Sequence, residues 1–183
     1  MTVQETHIPG VKLIRPRIHR DHRGYFFESF RASALEEAGI PAGFIQDNQS
    51  QSAHGVIRGL HYQNGPHQQA KLVRVLEGRI FDVAVDIRPG SSTFGQWIGM
   101  ELDAETGDQL YIPRGLAHGF SVLSSRATIL YKCDAYYAPA AESGLRFDDP
   151  DLDIDWQIEA SDILVSEKDL KLPYLKDLKT KHP

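Results

Sequence analysis

The chain has 183 residues, 41% of them hydrophobic and 25% charged, with 15 Gly and 10 Pro. That size suits one domain spanning residues 1–183 with a real core, and the composition excludes collagen-like, low-complexity and disordered chains. Twenty basic against 25 acidic side chains leave a net charge of −5, so no overall field draws the chain to nucleic acid or an anionic membrane. A local basic pocket for a small anion stays compatible with that balance.

The single cysteine, Cys133, closes no intramolecular disulfide and builds no multi-cysteine zinc site, which fits a reducing cytoplasm. The first twenty residues lack an apolar run of signal-peptide length. No stretch reaches the roughly 18 apolar residues of a membrane span, so neither export by that route nor a transmembrane helix is expected.

Short runs of alternating apolar and polar residues are punctuated by the pairs Pro9-Gly10, Arg23-Gly24, Glu77-Gly78, Pro89-Gly90, Arg114-Gly115 and Ser143-Gly144, the rhythm of an antiparallel β protein. In chain order, strands are expected near 11–18, 44–51, 56–63, 70–77, 79–87, 96–102, 109–112, 119–123 and 126–135. The clearest is 79–87, where Phe81, Val83, Val85 and Ile87 share one face and Asp82, Ala84 and Asp86 the other. One helix is expected where Ser33 and Glu36 have capping-box spacing, Leu35 and Ala38 share a face and Gly39 can end it. Residues 148–155 read as turns, followed by a short helical segment around Ser166 to Leu170. There is no internal repeat and no βα alternation. The expected fold is all-β, a sandwich or jelly-roll barrel whose interior can hold a small ligand, with a few short peripheral helices.

Three expected strands carry ionisable residues among apolar neighbours: His61 in VIRGLHYQ, Lys71 in AKLVRV and Tyr131 in TILYKC. Each alone fits a solvent-facing strand position. Together with Asp82, Asp86 and His118 they favour a polar barrel lumen. Strict alternation puts Arg58 and His61 on opposite faces, and a bulge at Gly59 would let both point inward. His61 and His118 also invite a metal reading, but Gln63 stands two residues after His61 and Lys71 brings positive charge where a cation would sit. No nucleophile elbow, P-loop or dinucleotide fingerprint is present. Acid–base chemistry remains. A His takes a proton near neutral pH, a Lys holds developing oxyanion charge and a Tyr returns a proton, a set suited to abstraction beside a carbonyl.

The segments DHRGYFFESF, FIQDNQSQS, GVIRGLHYQ, KLVRVLEGRIFDVAVDIR, IPRGLAHGF, YKCDAYY and SEKD occur in this order. As a series, from about residue 5 to 175, they resemble the dTDP-4-dehydrorhamnose 3,5-epimerases. The resemblance implies a cupin-like jelly roll, usually a homodimer with intersubunit strand exchange, acting without metal or other cofactor on a dTDP-4-keto-6-deoxy sugar. Its product would be dTDP-4-dehydro-β-L-rhamnose. By the same resemblance His61 is the general base, Asp169 its acidic partner, Lys71 the enolate-stabilising lysine and Tyr131 the proton donor. Arg23, Phe26, Glu28, Gln46 and Asn48 resemble nucleotide-binding positions, Arg58 and His118 positions near sugar and diphosphate, and Tyr137 an aromatic that packs on the base. Arginine suits phosphate and aromatics suit thymine. Taken singly, Asp169 reads as a solvated helix residue, Phe26 as core, and Arg23 and Glu28 as surface charges. Similar enzymes of antibiotic-sugar pathways invert only C3 or only C5, and a metal-dependent cupin or a noncatalytic sugar-binding barrel are the rival readings.

Overall fold

Thirteen strands and two short α-helices form within residues 1–178, the part of the chain that the computed structural model describes. In chain order the strands are β1 (Thr2–Glu5), β2 (Lys12–Arg15), β3 (His19–Asp21), β4 (Gly24–Phe26), β5 (Gln46–Ala53), β6 (Ile57–Gln63), β7 (Lys71–Glu77), β8 (Arg79–Asp86), β9 (Trp97–Asp103), β10 (Gln109–Ile112), β11 (Leu116–Val122), β12 (Arg126–Cys133) and β13 (Glu142–Gly144). Helix α1 (Ala32–Glu37) lies between β4 and β5, and α2 (Leu175–Leu178) follows β13.

Two antiparallel sheets face each other, a six-stranded one in the order β1-β2-β10-β7-β12-β5 and a five-stranded one in the order β13-β6-β11-β8-β9. Strands β3 and β4 form a separate hairpin. The inner faces meet in a core that includes Leu13, Val73, Val75, Ile80, Ala84, Leu102, Leu110, Phe120 and Ile129. Each of the larger side chains among them contributes about 1.5–3 kcal/mol by leaving water. On the outer side of the five-stranded sheet, Phe81, Val83 and Val85 pack under Leu145, Leu152, Trp156 and Leu175. Both faces of β8 are therefore covered, and every residue after Arg79 is buried. Over the six-stranded sheet, Leu35 of α1 and Ile40 cover Ile14 and Leu72. This is the all-β jelly roll with short peripheral helices that the alternation implies.

The differences are local. Three short elements, β1, the β3–β4 hairpin and β13, are too brief and too polar to announce themselves by periodicity. Ser143-Gly144 is not a turn but part of β13, where Gly144 pairs with His61 of β6. The helix at 32–37 lacks the capping box, because Arg31 is its N-cap with no side-chain cap bond, and Ser33 already sits inside the first turn. Its expected terminator holds, with Gly39 at φ +70° directly after the C-cap. Asp86 does not enter a polar lumen. Its buried carboxylate accepts hydrogen bonds from Arg88, Ser91 and Thr93. Burial opposes ionisation there, but those bonds outweigh it and hold Asp86 well below the usual carboxylate range. Asp86 is an anchor for the turn after β8.

Along the barrel the interior changes character. Register pairs Val75 with Ile129, Val73 with Tyr131 and Lys71 with Cys133, so the inward row of β7 and β12 runs from apolar to polar toward one end. The candidate site residues His61, Lys71, His118 and Tyr131 gather at that end.

Candidate active site

Strand β6 reaches the polar end with one residue too many. His61 pairs with His118 and Arg58 with Phe120, so three steps on β6 oppose two on β11. The irregularity at Gly59 turns Arg58 and His61 to the same cavity, as the parity conflict in the sequence requires. Only glycine fits, because Gly59 has φ +112° and an added Cβ would stand 2.6 Å from Gly119 Cα and from the His118 carbonyl.

Asp169 begins a 3₁₀ turn of residues Asp169–Lys171, and although 108 positions separate it from His61 its Oδ1 lies 2.7 Å from His61 Nε2. Its other oxygen accepts the Gly59 N–H at 3.5 Å. Burial raises the Asp169 pKa, but the His61 contact, Gly59 and Ser166 prevail and hold it below its ordinary value. An ionised carboxylate only accepts, so in the neutral imidazole Nε2 carries the hydrogen and Nδ1 keeps its lone pair.

Lys71 reaches both His118 and the Tyr131 ring, its Nζ 3.4 Å from His118 Nδ1 and 5.8 Å from the ring centroid. Behind it His118 Nε2 meets Asp82 Oδ1 at 2.8 Å. An ammonium only donates, so His118 accepts from Lys71 at Nδ1 and donates to Asp82 from Nε2. Burial pushes both the Lys71 and His118 pKa down, with Asp82 acting in the opposite sense on each. Burial pushes the Tyr131 phenol up, which keeps its proton in place across the neutral range.

Two adjoining cavities, about 330 and 510 Å³, share His61, Lys71 and Tyr131 as walls. Gln46, Asn48 and Tyr137 line the first, and Arg58, His118 and Asp169 line the second. Gln46 Nε2 donates to Asn48 Oδ1 at 3.1 Å, and Arg58 Nε to Ser52 Oγ at 3.0 Å. Arg23, Phe26 and Glu28 are not brought here by their own chain. Arg23 pairs with Asp21 and Glu28 with Arg31, and Phe26, 72% exposed, lies on the β3–β4 hairpin against the outside of the six-stranded sheet.

Sequence reasoning missed Glu142 and Lys168. Glu142 Oε2 accepts from the Tyr137 hydroxyl at 2.8 Å and from Lys168 Nζ at 2.6 Å, at the cavity mouth. Burial raises the Glu142 pKa, but Lys168 and Tyr137 outweigh it and keep the carboxyl below the usual range. Lys168 lies inside the SEKD segment and Glu142 in no motif at all.

A larger cavity of about 560 Å³ opens on the far side of β6 and contains none of the expected catalytic residues. Among the described residues no group of three or more His, Cys, Asp or Glu is placed to hold a metal ion. None of their helices is long and apolar enough to cross a membrane.

A jelly roll of the cupin-like type, with a His–Asp pair, a buried lysine and a tyrosine converging on shared cavities, defines a class of barrels equipped for acid–base chemistry. A family model described as dTDP-4-dehydrorhamnose 3,5-epimerase matches residues 5–177, and the chain belongs to that family. The family's members are epimerases, a kind of isomerase. A dTDP-4-dehydrorhamnose 3,5-epimerase of Pseudomonas aeruginosa is 53% identical over 163 residues, 88% of this chain and 89% of that protein. A crystal structure of the corresponding enzyme from Elizabethkingia anophelis superposes with a TM-score of 0.93 at 49% identity, covering 97% of both chains. A 3,5-epimerase from Legionella pneumophila, solved with dTDP-4-keto-L-rhamnose, gives 0.93 at 48% identity, covering 98% of this chain and 95% of that one.

Proposed function

We propose that this protein converts dTDP-4-dehydro-6-deoxy-α-D-glucose to dTDP-4-dehydro-β-L-rhamnose by inverting C3 and C5 in turn. The observation that carries the reading is the 2.7 Å His61–Asp169 pair opening onto a cavity that Lys71 and Tyr131 also line. The 4-keto group acidifies both C3–H and C5–H. His61 takes the proton, the C–H electron pair moves into the ring, and the resulting enolate carries its charge on O4 beside the Lys71 ammonium. Return of a proton to the opposite face restores the ketone and inverts the carbon. At C5 that proton comes from the Tyr131 hydroxyl, and the protons gained by His61 and lost by Tyr131 re-equilibrate with solvent. The relatives named above are 3,5-epimerases at about half identity, which favours double over single inversion. We place the reaction in the cytoplasm, a reading supported by the single buried cysteine.

The test is proton NMR in deuterated water with the nucleotide sugar, before and after exhaustive chelation. Deuterium should enter at both C3 and C5, the product should be the L-sugar, and chelation should change neither, since Lys71 places a cation's charge in the site already. Exchange at one carbon alone would make it a mono-epimerase, binding without exchange a sugar-binding barrel, and loss on chelation with recovery on metal return a metal-dependent cupin.

We also propose a homodimer in which Arg23 and Phe26 of the exposed β3–β4 hairpin, with Glu28 just after it, complete the nucleotide site of a second copy. Sedimentation should give the mass of two chains, and Arg23→Ala should raise KM while sparing kcat. A fully active monomer would refute this arrangement.

A further inference from the structure

The loop after β12 bears Tyr136 and Tyr137, both exposed, and its backbone from 135 to 138 is held by side-chain carboxamides. Gln69 Nε2 donates to the Ala135 carbonyl at 2.8 Å. Gln63 Nε2 donates to the Tyr136 carbonyl at 3.3 Å, and Gln63 Oε1 accepts the Ala138 N–H at 2.6 Å. Gln46 Oε1 accepts the Tyr137 N–H at 2.9 Å. Four consecutive residues are thus each tied to one of three glutamines, which come from β5, the end of β6 and the approach to β7.

Gln63 is the centre of this cradle. It is 5% exposed, it alone makes two of the four ties, and its Nε2 also donates to the His67 carbonyl at 2.7 Å. A carboxamide offers two donor hydrogens, and both of Gln63's are engaged by backbone carbonyls. Although Gln63 lines the same cavity as His61, it has no hydrogen left to give a ligand. What it can do is fix where Tyr137 stands. That ring is held at its other end by the hydroxyl bond to Glu142, so backbone and hydroxyl together set its plane over the cavity mouth.

We infer that Gln63 is a positioning residue for nucleotide binding, acting through Tyr137 by holding the 135–138 backbone, with Gln69 as its auxiliary. The inference rests on the reading of Tyr137 as the aromatic that packs on the base. A base–aromatic stack is strong enough that losing its alignment reads as a large change in affinity. The bond set also explains why a neutral carboxamide is needed. Its two carbonyl partners require donors and its N–H partner requires an acceptor, a combination that neither leucine nor glutamate reproduces.

The experiment is a double-mutant cycle on the full-length protein, read by calorimetric binding of dTDP and by steady-state kinetics. Gln63→Leu should weaken dTDP binding and raise KM about tenfold while kcat stays within about threefold. Tyr137→Ala should weaken dTDP binding by a similar factor, and adding Gln63→Leu to it should cost nothing more. Gln69→Leu, which loses a single tie, should move KM in the same direction by a smaller factor, and it serves as the test if Gln63→Leu does not fold by its thermal melt. Unchanged KM in both glutamine variants, an equal fall in kcat, or a full additional loss in the Tyr137→Ala background would each overturn the inference. If Tyr137→Ala itself leaves dTDP affinity untouched, the base-packing reading falls and takes the inference with it. If Tyr137→Ala weakens binding and the glutamine variants do not, the cradle alone is wrong.

Discussion

His61→Ala is expected to abolish hydrogen exchange at both C3 and C5 while leaving the fold intact. One base serves both carbons in the proposed mechanism, so the loss should be at or above the range of about 10²- to 10⁴-fold typical of general acid–base groups. No neighbour takes over. Lys71 is occupied with His118, and burial keeps Tyr131 protonated. Asp169→Asn should be impaired as well, because an amide neither fixes the imidazole tautomer by accepting from Nε2 alone nor stabilises the imidazolium by charge. Near wild-type exchange at either carbon in a folded His61→Ala protein would remove it from the role. The pair also has a stability signature. Asp169's carboxyl is depressed in the fold, so its contribution is fully present above the unfolded-state value of about 3.9 and is lost as pH falls through the folded value. Asp169→Asn should therefore flatten the acid limb of the melting temperature.

The fold was legible where local pattern and burial agree. Strand β8 alternates because Phe81, Val83 and Val85 meet an apolar outer layer while the other parity carries Asp82 and Asp86, bonded to His118 and Arg88, and the parity conflict between Arg58 and His61 pointed to Gly59, where the structure has its register shift. The capping box failed because the motif depends on which residue is the last non-helical one, and tertiary packing of Leu35 began the helix earlier. The site was legible only in part. His61, Lys71, His118 and Tyr131 announce themselves as ionisable residues in apolar strands. Asp169 does not, since its partner lies 108 positions away and local sequence carries no record of that path. Glu142 opens a three-residue strand and Gln69 ends a polar run, where no period singles either out, and Gln63 registered only as a residue that spoils a metal site. Arg23, Phe26 and Glu28 look like ordinary surface residues from within one chain, and that is where the structure puts them.

Tyr131→Phe separates the two halves of inversion. Tyr131 shares the inward row of β12 with Ile129 and Cys133, its ring packs against the barrel core, and its hydroxyl end belongs to both halves of the cavity. Phenylalanine keeps the ring, the packing and the contact with Lys71, and deletes only the acidic hydrogen, so stability should change little. Abstraction by His61 does not need that hydrogen. Deuterium should therefore still enter at C3, and the C5 proton should still be removable. What should fail is delivery from the opposite face at C5, where net inversion should fall by about 10²-fold or more. The alternative donor is the imidazolium formed on His61, which returns its proton to the face it came from and regenerates the starting configuration. The expected product in deuterated water is a sugar exchanged at C3 and C5 but inverted at C5 only slowly. A C3-epimer accumulating in place of the L-sugar would be the direct sign of this block. Unchanged formation of the doubly inverted sugar by Tyr131→Phe would place the acid elsewhere and leave this tyrosine a packing role alone.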